Sequence, residues 1–206
     1  MTSESDSRRV PAREGRGEVR EKASRFFGLA ARVASPAEAE DFLARVRREH
    51  HDATHVAFAW RIGAGPSAAV RASDAGEPAG TAGKPILGAI ESAGLSDVVT
   101  AVVRYYGGTK LGTGGLARAY RLAAGRALEA AGAETLYDTV RLEVRCPYDR
   151  TGLVRRLIDP PSVRLVAERF DPEPILEIEV RRSRVAAMVT TLEEARVSFW
   201  MLPRAL

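Results

Sequence analysis

Residues 97–106, Asp-Val-Val-Thr-Ala-Val-Val-Arg-Tyr-Tyr, are the most β-prone stretch of the chain, and the nine residues that follow include five glycines. Such a run of β-branched and aromatic side chains reads as a central strand. Gly107-Gly108-Thr109-Lys110-Leu111-Gly112-Thr113-Gly114-Gly115 then reads as a loop, and Leu116 to Ala131 as a strong helix closed by Gly132. A buried strand, a glycine-rich loop and a long helix in succession require a layered fold of sheet and helix.

The preceding residues fit that frame. Ser24 to Leu29 suits a first strand. Ser35-Pro36-Ala37-Glu38 carries the signals of a capping box, and Ala39, Phe42, Leu43 and Val46 recur at helical spacing, which predicts a helix from Pro36 to about Glu49. From Thr54 to Ile62 the period becomes two, with Val56, Phe58, Trp60 and Ile62 on one side, as in a half-buried strand. A turn at residues 63–66 and a short partner, Ala68 to Ala72, complete a hairpin. Residues 73–83 form a second breaker-rich loop, and a helix with Pro85 in its first turn runs from it to Gly94.

Beyond Gly132 the texture changes. Thr139 to Arg145, Arg150 to Ile158, Ser162 to Phe170, Ile175 to Val180, Arg184 to Ala195 and Val197 to Met201 alternate as βαββαβ, the order of a ferredoxin-like domain. The expected class is therefore α+β in two domains, spanning residues 18–135 and 136–206. The polar, aperiodic residues 1–17 are expected to be a disordered tail.

A length of 206 residues, 45% of them hydrophobic, supports ordinary cores, and a net charge of +4 is too small for a disordered chain. The single cysteine, Cys146, excludes an internal disulfide framework. No apolar run reaches the roughly 18–20 residues of a membrane span, and the first residues lack a signal-peptide core, so the expectation is a soluble cytosolic protein without a membrane partner. Acidic and basic residues are balanced in both halves, unlike a strong nonspecific nucleic-acid binder. Only three of the 31 basic residues are lysines: Lys22, Lys84 and Lys110.

Chemistry is expected at the two loops. Each leads a helix, whose first N–H groups and positive dipole end attract anions, and glycine lets backbone approach a phosphate or carboxylate. Lys84 stands at the first helix start and Lys110 within the second loop, so an anion site is expected from Lys84, Arg104, Tyr106, Gly107, Gly108, Lys110, Gly112, Gly114, Gly115 and Arg118. A P-loop is excluded because Pro78 and Pro85 occupy its required positions around Gly83-Lys84. Gly112-Thr113-Gly114-Gly115-Leu116-Ala117 fits a loose dinucleotide pattern but starts too far from the strand. Asp74, Glu77 and His55 are the candidates for acid–base catalysis, against turn-capping and structural roles. No metal spacing and no serine-nucleophile elbow is present, and no cofactor is expected.

Arg71 to Leu87 (RASDAGEPAGTAGKPIL) and Val103 to Tyr120 (VRYYGGTKLGTGGLARAY) closely resemble the signature of the YigZ/IMPACT family, as do Lys22 to Phe26 and Ala53-Thr54-His55. The resemblance implies a first domain similar to the second domain of ribosomal small-subunit protein five, an α/β sandwich. The second domain is then similar to the ferredoxin-like last domain of elongation factor G. It also implies a link to translation, since eukaryotic members regulate it. The leading expectation is a non-enzymatic translation- or RNA-associated binding protein, with ribosome or RNA as partner. The alternatives are an enzyme acting on a small phosphorylated or carboxylated substrate through Asp74 or Glu77, and a scaffold for a protein partner.

Overall fold

The computed structural model describes residues 6–203, in two compact units, Arg8–Leu136 and Tyr137 onward together with residues 6 and 7. In the first, β2 (Gly15–Glu21), β3 (Ser24–Arg32), β4 (His55–Ile62), β5 (Ala69–Ser73) and β6 (Val98–Tyr105) form an antiparallel sheet in the order β2-β3-β6-β4-β5. The apolar run of residues 98–105 is thus the middle strand. Helix α1 (Pro36–Glu49) covers one face, burying Phe42, Leu43 and Val46 against Phe58, Trp60, Val99 and Val103. Helices α2 (Gly83–Ala93) and α3 (Gly112–Ala131) cover the other, over Phe26, Ala57, Ala59, Val98 and Val102. Strand β4 is consequently buried on both faces, not one, because its alternate positions are alanines that fit beneath the helices.

The Ser35 hydroxyl accepts the Glu38 N–H at 3.2 Å, and the Glu38 carboxylate accepts the Ala34 N–H at 2.9 Å, a capping box displaced by one residue. Gly94 ends α2 in the left-handed conformation.

The tail expectation fails over its described part. Residues 7–10 form strand β1, which pairs with β7 (Glu134–Tyr137), and β2 starts at Gly15. Residues 1–5 lie outside the described residues. Hydrophobic periodicity misses β2 because two of its inward positions carry no side chain: a Cβ on Gly15 would lie 2.1 Å from the Ala127 carbonyl oxygen, and one on Gly17 2.5 Å from the Arg126 Cβ. Helix α3 lies directly on the strand backbone, its Ala127 and Ala131 filling the space.

In the second unit, β8 (Thr139–Arg145), α4 (Tyr148–Arg156), β9 (Val163–Phe170), β10 (Pro174–Arg181), α5 (Val185–Glu194) and β11 (Ser198–Met201) follow in βαββαβ order. The sheet order β11-β8-β10-β9, antiparallel throughout, is ferredoxin-like. Leu142, Val144, Leu176, Ile178, Met188 and Leu192 form its core. Among the described residues no helix is long and apolar enough to cross a membrane.

Candidate functional site

The site is built around a carboxylate that folds its own loop. After β5, one oxygen of Asp74 accepts the N–H groups of Ala82 and Gly83, at 2.9 and 2.8 Å, and the other accepts that of Gly80 at 2.8 Å. Burial raises the pKa of this carboxyl, but the three N–H donors outweigh it and hold the group below the ordinary aspartate value. The first glycine-rich loop therefore already holds an anion at the start of α2, and that anion is Asp74. It does for α2 what a bound phosphate would do. An external anion beside Lys84 would therefore find the N–H groups of Gly80, Ala82 and Gly83 already engaged.

The loop so folded turns Glu77 inward. Its Oε1 accepts from Arg104 Nη1 at 2.6 Å and from the Tyr120 hydroxyl at 2.7 Å. The Glu77 and Arg104 side chains are only 3% and 7% exposed. Arg104 reaches this place because it shares a face of β6 with Val98 and Val102, under α2 and α3. Its guanidinium lies between the rings of Phe26 and Tyr106, 5.5 and 5.2 Å from their centres. Burial and the Glu77 carboxylate both raise the Tyr120 phenol above its ordinary value, so it stays a donor. Arg104 and Glu77 are thus paired with each other in a buried network with Tyr120, where a free cation and a free base are expected from the sequence.

Above the network lies a cleft of about 520 Å³, lined among others by Thr54, His55, Tyr106, Lys110, Thr113 and Leu116. His55 Nδ1 is 2.9 Å from the Ala75 carbonyl, which can only accept, so Nδ1 carries the proton in the neutral ring and Nε2 is the free acceptor. Tyr106 donates its backbone N–H to the Thr54 hydroxyl at 3.0 Å. The second glycine-rich loop is shorter than expected. Helix α3 begins at Gly112, so Gly112, Gly114 and Gly115 form its first turn, and only Gly107 and Gly108 are loop glycines. Glycine's poor propensity hides this turn from sequence, since packing from Leu116 onward sustains the helix.

Among the described residues no side chain caps α3, and a Cβ on Gly112 or Gly114 would meet none of their atoms within 4 Å. The first N–H groups of this 20-residue helix lie open beside exposed Lys110. Lys22, distant in sequence, donates from Nζ to the Lys110 carbonyl at 3.3 Å. Gly107 donates to the Ser24 hydroxyl at 3.3 Å and packs so tightly that a Cβ would lie 2.0 Å from the Ala23 carbonyl oxygen. The Lys22-Ala23-Ser24 segment thus buttresses the loop. Of the predicted site residues, the structure gathers His55, Glu77, Arg104, Tyr106, Lys110 and Gly112 around this cleft. Lys84 and Arg118 line a separate depression between α2 and α3, where Arg118 pairs with Glu21 at 3.2 Å. Tyr120, Thr54, Ser24 and Lys22 have roles not assigned from sequence, although all four lie in the segments that resemble the family signature and the scarcity of lysine also pointed to Lys22.

Residues 22–128 match the model of the Impact N-terminal domain, and this span contains every group of the cleft. The chain belongs to the IMPACT family. An IMPACT family member of Haemophilus influenzae is 34% identical over 176 residues, 84% of each chain. The IMPACT family member YigZ of Escherichia coli is 33% identical over 174 residues, 84% of this chain and 85% of that one. A family member from Thermus thermophilus reaches 49% identity over 135 residues, 66% of this chain and 72% of its own. A crystal structure of a hypothetical protein, 29% identical, superposes over 97% of this chain and 99% of its own with a TM-score of 0.66. A solved structure of matching length thus shares the overall fold of this IMPACT protein.

Proposed function

We propose that this IMPACT-family protein is a non-enzymatic, translation-associated binding protein that takes a phosphate of RNA at the start of α3. One observation carries the reading: of two helices led by glycine-rich loops, α2 is closed by Asp74, whereas α3 opens uncapped onto a cleft beside Lys110 and Lys22. The bare first turn lets a phosphate approach the backbone, lysines supply compact positive charge, and exposed Tyr106 offers a ring to a base. The link to translation rests on the family resemblance. The enzymatic alternative is left with His55 alone as its base, because Asp74 is engaged at the start of α2 and Glu77 with Arg104 and Tyr120.

Binding of a single-stranded oligoribonucleotide, followed against salt, tests the proposal. Lys22→Ala with Lys110→Ala weakens binding and lowers the salt slope by about 0.7 for each phosphate that is no longer neutralised. An affinity and a slope both equal to wild type refute it.

A further inference from the structure

A second surface, away from the cleft, has different chemistry. Two depressions, of about 690 and 620 Å³, share Arg121 and run along the outer side of α2 and α3. Ala89, Ala93, Leu122, Gly125 and Leu128 give this groove an apolar floor, and Leu122 is 48% exposed. Lys84, Arg118, Arg121, Arg126 and Arg9 border it, against the carboxylates of Glu91 and Glu129.

The partners of these cations set them apart. Arg121 donates to the Ser92 hydroxyl at 2.8 Å, Arg126 to the Glu18 carbonyl, and Arg9 to the Ala93 carbonyl at 3.3 Å, where it faces the negative end of α2. Among the described residues, neither Arg121 nor Arg126 is paired with a carboxylate. The outward arginines of the second unit's sheet differ, since Arg141, Arg145, Arg164 and Arg169 each pair with a glutamate. Arg121, Arg126 and Arg9 are thus oriented by neutral oxygens, whereas Arg118 is paired with Glu21. That preorganisation lowers the cost of binding an anion.

Gly125 points the same way. It sits inside α3, where glycine costs about 1 kcal/mol relative to alanine, yet a Cβ there would meet nothing within 4 Å. Packing within the chain does not require a glycine, and the missing side chain leaves the floor clear for an incoming chain.

We infer that the α2–α3 groove docks an acidic amphipathic helix of a partner protein, apolar side chains on the Leu122–Gly125 floor and carboxylates on Arg121 and Arg126. The apolar floor decides for this partner over RNA, whose phosphates gain nothing from an exposed leucine. The inference is independent of the α3 N-terminal site.

Selection from a display library of short random peptides against the full chain tests it, with Gly125→Glu and Arg121→Glu as counter-targets and thermal unfolding as the check on folding. The expected winners carry leucines and Asp or Glu at helical spacing, bind both variants at least about tenfold more weakly, and still bind Lys110→Ala. The inference is overturned if no peptide is enriched, if the winners lack acidic residues, if they bind Gly125→Glu as well as wild type, or if an oligoribonucleotide displaces them while itself losing affinity for Gly125→Glu.

Discussion

Replacing Glu77 by alanine removes one partner of a buried ion pair and leaves the other in place. Arg104 is then a cation 7% exposed, with Nη1 unpaired in addition to its buried Nε, which already has no partner among the described residues. Tyr120, fully buried, loses the acceptor of its hydroxyl. Breaking a buried pair in this way costs about 3–5 kcal/mol, and a stranded buried hydroxyl about 1–3 kcal/mol, with the two overlapping. A loss of about 4 kcal/mol is expected, a large share of the roughly 5–15 kcal/mol that holds a domain folded. The double variant Glu77→Leu/Arg104→Met removes both charges and fills similar volume, and is expected to fall within about 2 kcal/mol of wild type. The chain has two tryptophans, Trp60 buried in the first unit and Trp200 half-exposed in the second, so in a Trp200→Phe background fluorescence follows the first unit alone. Urea unfolding of this set gives the coupling energy from the shift in midpoint at constant slope. A cost below about 1 kcal/mol for Glu77→Ala, or a double variant whose cost equals the sum of Glu77→Leu and Arg104→Met, refutes the account of the network.

Asp74→Ala opens three N–H groups at the start of α2 and is expected to cost about 1–2 kcal/mol by urea unfolding. Because the folded Asp74 carboxyl lies below its ordinary value, its contribution is complete above about pH 4 and is lost as pH falls through the lowered value; the variant shows a shallower acid decline. Gly107→Ala forces a Cβ against the Ala23 carbonyl, so a lower Tm and weaker oligoribonucleotide binding are expected, whereas Gly114→Ala meets open space and raises the Tm by stiffening the first turn of α3.

Local signals made much of the fold legible. The Ser35 cap, the left-handed Gly94, the apolar run of β6 and the βαββαβ alternation are each encoded within a few neighbouring residues, where propensity and periodicity act. The β2 strand was not legible, because its inward positions are glycines whose partner is helix α3, far along the chain. The first turn of α3 was hidden for a related reason, as glycines that disfavour a helix are tolerated where packing further along holds it.

For the site, the sequence alone determined that two glycine-rich loops each lead a helix, that lysine is scarce and placed at them, and that Asp74, Glu77 and Arg104 sit close by. Only the tertiary structure decided what those residues do. Asp74 closes its own helix because its loop bends back on the carboxylate. Glu77 meets Arg104 and Tyr120, 27 and 43 residues away, because strand register and helix packing bring them to one buried point. The start of α3 stays open because no side chain among the described residues caps it, a property of the assembled fold and of no single segment.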